Sequence, residues 1–110
     1  MKIVVQQGEV INRKDIESFL KVVPKQWTSA VDGLTIYVSL DEPFQISYYN
    51  KEKILGVHIS SKYNGKTSEA LENIAIALQA INEIGHFPNK LSKSLEKDYR
   101  ARWNQVKTQG

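Results

Sequence analysis

The stretch Thr67 to Pro88, TSEALENIAIALQAINEIGHFP, is the longest regular apolar pattern in the chain, and any fold must be built against it. At ~100° per residue, Ala70, Leu71, Ile74, Ala75, Ala77, Leu78, Ile81 and Ile84 share one broad arc. Glu69, Glu72, Asn73, Gln79 and Glu83 lie opposite. Ile76 and Ala80 fall on that polar side, which predicts that part of it is covered too. Thr67 or Ser68 can cap the first turn, and Glu69 sits where the helix dipole favours an anion. Gly85 can end the helix, with Pro88 just beyond as a stop. Asn82 falls inside the apolar arc. A buried amide without partners costs on the order of 1–3 kcal/mol, so Asn82 needs one.

Before this helix the chain predicts shorter elements. Ile3-Val4-Val5 reads as a short edge strand closed by Gln6-Gln7-Gly8. Asn12 reads as a helix cap with Asp15 three residues on, and Ile11 and Ile16 stand where a hydrophobic staple would clasp. Ile16, Phe19, Leu20 and Val23 face inward, and the helix stops before Pro24. Lys25 to Gly33 carries Trp27 and closes on the turn signal Asp32-Gly33. Leu34 to Leu40 then alternates, with Leu34, Ile36, Val38 and Leu40 on one face. Phe44, Ile46 and Tyr48 form a second inward row after Asp41-Glu42-Pro43. Leu55, Val57 and Ile59 form a third after the polar turn Asn50 to Lys53, with His58 out of phase. Short turns between the strands favour an antiparallel meander. After Pro88 a last helix, roughly Leu91 to Val106, carries Leu91, Leu95, Tyr99, Arg102 or Trp103, and Val106 as a stripe, and Ser92 can cap it. Glu96 with Arg100 and Asp98 with Arg102 stand four apart as favourable pairs. The expected architecture is one α+β domain over residues 1–110: a three-stranded antiparallel meander packed against a central helix, with an N-terminal and a C-terminal helix.

The totals narrow the function classes. The 110 residues suit a single core, and the absence of cysteine removes disulfides, thiolate metal sites and a cysteine nucleophile. The N-terminal apolar run is too short for a signal peptide and nothing approaches membrane-span length, so a cytoplasmic protein without membrane contact is expected. A net charge of +3 carries no nucleic-acid argument by itself. No phosphate-binding glycine loop is present and no serine or cysteine triad can be assembled.

One run has a chemical flavour: Asn82-Glu83-Ile84-Gly85-His86. A zinc-protease helix places two histidines four apart, so that both imidazoles reach one metal, with a glutamate between them to move the proton of the bound water. Glu83 and His86 stand in the second and fifth places of that motif, and Asn82 takes the first. The order of helix, proline-containing loop, three strands and motif helix, over about Asp15 to Pro88, resembles the zincin metallopeptidases in their minimal form. The resemblance implies Glu83 as general base and His86 as a zinc ligand in an active relative. An asparagine is a weak zinc ligand, and no third ligand is recommended by spacing. The resemblance therefore implies a scaffold without cofactor or catalysis. The same residues also read as a plain helix exit, with glycine for the left-handed cap, histidine near the carbonyl end and proline as the stop.

Two surfaces suggest partners. Leu95, Tyr99 and Trp103 on the last helix could anchor a protein, since aromatic anchors dominate interfaces. Tyr49 with Lys51 and Lys53 could stack bases and hold phosphates. Both sets have a bland alternative, in which the aromatics are core and the lysines are solvated. A non-catalytic module working through protein contact is the leading expectation. A small basic nucleic-acid-binding protein and a residual zinc metallopeptidase are the alternatives.

Overall fold

A computed structural model describes residues 1–6, 10–88 and 90–109. Its order is β1 (Lys2–Val5), α1 (Arg13–Val22), a 3-10 turn (Lys25–Thr28), β2 (Gly33–Val38), β3 (Phe44–Tyr49), β4 (Ile54–Ile59), α2 (Thr67–Ile84) and α3 (Lys93–Gln109). The close of the first strand expected at Gln7 and Gly8 lies outside the described residues.

The three-stranded antiparallel meander is overturned. The sheet has four strands in the order β1-β2-β4-β3, with β1, β2 and β4 parallel and only β3 antiparallel. The chain leaves β2, crosses to the far edge as β3, and returns as β4 into the gap between them. Short turns are compatible with this path because β3 itself spans the crossover. The physical reason lies in the strands' composition. A strand with neighbours on both sides reads as a near-continuous apolar run, whereas an edge strand alternates. Ile54–Ile59 (ILGVHI) is buried along most of its length and Phe44–Tyr49 (FQISYY) is not.

Leu34, Ile36, Leu55, Val57 and Ile59 line the inner face of the sheet and share one core with Ile16 and Phe19 of α1 and Ile74, Leu78 and Ile81 of α2. The inward row expected along β2 stops early: Val38 and Leu40 are exposed, beyond the reach of the helices. α1 begins with the expected reciprocal cap, in which the Asn12 side chain accepts from the Asp15 N–H and the Asp15 carboxylate accepts from the Asn12 N–H. α2 starts differently from expectation. Lys66 occupies the cap position without a side-chain bond, and the Thr67 hydroxyl instead donates to the Val10 carbonyl at 2.6 Å. Gly85 ends α2 at φ 90°, where a side chain would be strained. α3 lies across α1 and α2, with the Trp103 ring 5.1 Å from that of Phe19. Ile76 and Ala80, on the polar side of α2 in the helical projection, are buried with Tyr99 in a second, smaller cluster edged by Phe87, Leu91 and Leu95. Among the described residues no helix is long and apolar enough to cross a membrane.

Candidate functional site

The motif run at the end of α2 is occupied structurally. Asn82 Oδ1 lies 3.0 Å from the Ser29 hydroxyl, just after the 3-10 turn. Ser29 has one proton, and its oxygen is also 2.9 Å from the Gln26 carbonyl. With that proton on the carbonyl, the Ser29 lone pairs accept from the Asn82 amide nitrogen once the amide makes a half-turn. Either way Asn82 has the partner its place in the apolar arc requires. Glu83 points elsewhere. Its carboxylate accepts from the Tyr99 hydroxyl at 2.8 Å and is paired with Arg102. The Tyr99 bond first, and Arg102 next, hold this carboxyl below the ordinary carboxylate range against the opposing effect of burial. Tyr99 is wholly buried, and burial together with the Glu83 charge pushes its hydroxyl up to about 12. A carboxylate so engaged is a poor general base. His86 is exposed beyond the Gly85 cap. The ring of His58 sits on the opposite side of the sheet, stacked on Tyr37 with centroids 4.8 Å apart. Among the described residues, no three carboxylates or imidazoles converge as a metal set would.

The expected binding residues divide in the same way. Tyr99 and Trp103 are buried in the protein's own packing, and Leu95 edges the second cluster. They fasten α3 and offer no anchor to a partner. Of the charge pairs foreseen on α3, Glu96–Arg100 forms at 2.9 Å, with Arg100 reaching Glu72 on α2 as well, while Arg102 turns to Glu83. Gln79, also buried here, donates to the Tyr99 carbonyl at 2.8 Å, and its own carbonyl oxygen has no partner among the described residues.

Tyr49, Lys51 and Lys53 lie on and beside the outer face of the sheet, which no described helix covers. The Tyr49 hydroxyl is 3.3 Å from His58 Nε2. The Tyr37 and Tyr49 rings lean over Gly56, where an added Cβ would meet them at 3.0 and 2.9 Å. The Tyr37 face is taken by His58, whereas Tyr49 stays exposed beside Lys51 and Lys53.

The open feature is elsewhere, along β3. The Ser60 N–H donates to the Pro43 carbonyl at 3.2 Å. Antiparallel alternation then puts Gln45, Ser47 and Tyr49 in the pairs bonded to β4, and turns the N–H and C=O groups of Phe44, Ile46 and Tyr48 outward. No described residue bonds to those outward groups. β3 also carries no charged residue along its six positions. The other edge is different: β1 is four residues long, carries Lys2, and its Ile3 carbonyl accepts from the Arg13 guanidinium at 2.9 Å. Proteins blunt a sheet edge by such means, and β3 lacks them. Under the inner side of β3 runs a groove of about 590 Å³, lined by Phe44 and Ile46, by Asn73 and Ile76 of α2, and by Phe87 and Leu91. Lys90, Lys93 and Glu96 stand at its rim. At ~100° per residue, Asn82 lies roughly 180° round α2 from Asn73, so the motif does not face this groove.

Reading the sequence did not single out this groove. The signal available was the contrast between the charge-free alternation of FQISYY and the continuous run of ILGVHI, which marks the former as an edge. No family model, curated protein or solved structure matches this chain.

Proposed function

We propose that this protein is a non-catalytic binding module that receives an extended segment of a partner protein along the β3 edge. The observation that carries the reading is the juxtaposition of outward backbone groups on Phe44, Ile46 and Tyr48 with an apolar groove beneath them. An added strand gains affinity from main-chain hydrogen bonds and specificity from alternate side chains entering pockets. Residues of the segment opposite Phe44, Ile46 and Tyr48 would point to the groove side, over Ile76, Phe87 and Leu91. Engagement of Glu83 by Tyr99 and Arg102, and of Asn82 by Ser29, supports the non-catalytic part of the proposal. On this reading the likeness to zincins lies in the order of elements and contributes no metal chemistry. A cytoplasmic setting goes with it, and fractionation of cells producing the untagged protein tests that.

The main test is a peptide-display selection against the full chain, followed by amide chemical-shift mapping with a selected peptide. Shifts and slowed hydrogen exchange at Phe44, Ile46 and Tyr48 are expected. Shifts confined to α3 would overturn the proposal. So would a strongly salt-dependent response to single-stranded DNA at Tyr49, Lys51 and Lys53, which would favour nucleic-acid binding instead.

A further inference from the structure

Resting on the edge-strand reading, we infer that the segment taken up along β3 is acidic at one end, its carboxylates meeting Lys90 and Lys93. Three observations converge. Lys90 and Lys93 are both exposed at the groove rim, and neither makes an ion pair with a described residue. The one carboxylate at that rim, Glu96, is engaged 2.9 Å from Arg100, a guanidinium it shares with Glu72. The strand that forms the groove's other wall is uncharged, so the two lysines are the unpaired charges a docking segment meets there among the described residues. They outweigh the single net negative charge of the Glu72–Arg100–Glu96 group. Opposite charge across a rim steers association and sets register, while the apolar groove supplies contact area.

The chemistry of the occupant is therefore specific. It is a peptide with apolar residues at alternate positions, pointing between β3 and α2, and with aspartate or glutamate where it passes Lys90 and Lys93. A second copy of this chain is the less suitable occupant. Its own β3 would bring no carboxylate, since Phe44–Tyr49 contains none, and its rim would place lysines near lysines if the edges met.

The test measures fluorescence polarisation of labelled peptides of alternating valine and threonine on the full chain. The peptides carry an Asp-Asp pair at one end or the other, with Asn-Asn and Lys-Lys counterparts. The protein is compared with a Lys90→Glu/Lys93→Glu variant, whose fold is checked by circular dichroism, and amide shifts are recorded for each complex. An Asp-Asp peptide is expected to bind about tenfold more tightly than its Asn-Asn counterpart, and the variant to lose that preference and favour Lys-Lys. Equal affinity of the Asp and Asn peptides, with shifts still at Phe44, Ile46 and Tyr48, would overturn the acidic preference while leaving the edge reading standing. Absence of shifts on β3 with every peptide would overturn both. Concentration-dependent dimerisation with shifts at β3 would make the occupant a second copy and overturn the inference.

Discussion

Two stretches of α2 differ in a way their residue types conceal. The C-terminal stretch, with Gln79, Asn82 and Glu83, holds the polar groups of this helix that suggest chemistry. Their side chains are engaged: Asn82 with Ser29, Glu83 with Tyr99 and Arg102, and the Gln79 amide nitrogen with the Tyr99 carbonyl. The Gln79 oxygen has no partner among the described residues. The stretch one to two turns earlier, with Asn73 and Ile76, contains nothing notable and lines the groove, because the helix there faces the edge strand β3. A polar residue on a helix reports chemistry only when its neighbours leave it free. Here the conspicuous groups fasten α3 and the 3-10 turn, and the accessible surface is built from ordinary apolar side chains beside unpaired backbone.

The contrast can be broken by mutation. If α3 is held as a structural element, its largest anchor should dominate stability. Trp103→Ala, which empties the space against Phe19, is expected to cost about 3–5 kcal/mol by urea denaturation. A loss under about 1 kcal/mol would mean that α3 is only loosely attached.

Asn82→His tests the motif directly. Loss of the bond with Ser29 should lower stability by about 1 kcal/mol, and zinc should not raise the melting temperature. A zinc-dependent rise would show a metal cleft in place of the Asn82–Ser29 contact.

Glu83→Gln sharpens the comparison through pH. The folded-state carboxyl titrates below its unfolded value, so its contribution is present above the unfolded carboxylate range and is lost as pH falls through the folded value. The side chain is 42% exposed, which holds the effect to about 1 kcal/mol or less. Wild type and variant should therefore differ at neutral pH and converge in acid. Tyr99 works in the opposite direction. Its pKa is raised in the fold, so its contribution is present below pH 10 and fades as pH climbs toward 12. A pH-independent gap between wild type and Glu83→Gln would contradict the Tyr99–Glu83–Arg102 contact.

The smallest effect belongs to the groove stretch. Among the described residues Asn73 bonds only the Glu69 carbonyl one turn earlier in its own helix, so Asn73→Ala should change stability by no more than about 0.5 kcal/mol. A larger loss would mean that the groove is part of the folded core and not a vacant surface.

Much of the local structure was readable from residues. The Asn12–Asp15 cap, the stop at Gly85 and most of the inward rows of α1 and α2 follow from rules reaching only a few residues along the chain. Ile84, expected inward, is instead exposed in the last turn, and Gln79, expected outward, is buried under α3. The Glu96–Arg100 pair follows for the same reason. The burial of Ile76 and Ala80 was anticipated in outline, because apolar groups on a nominally polar face imply a cover.

What the sequence determined by itself was the set of elements and which face of each is apolar, since capping, periodicity and turn chemistry act over three or four residues. Tertiary structure decided which strands are neighbours: β4 enters between β2 and β3, whereas turn lengths alone favour a meander. The composition of FQISYY against ILGVHI is the one trace of the path in the sequence. It also decided the fate of the polar groups. Ser29 reaches Asn82 across 53 residues of chain, and Tyr99 reaches Glu83 across 16. The free edge and its groove arise from the same long-range pairing, because a strand becomes an edge only through the absence of a neighbour.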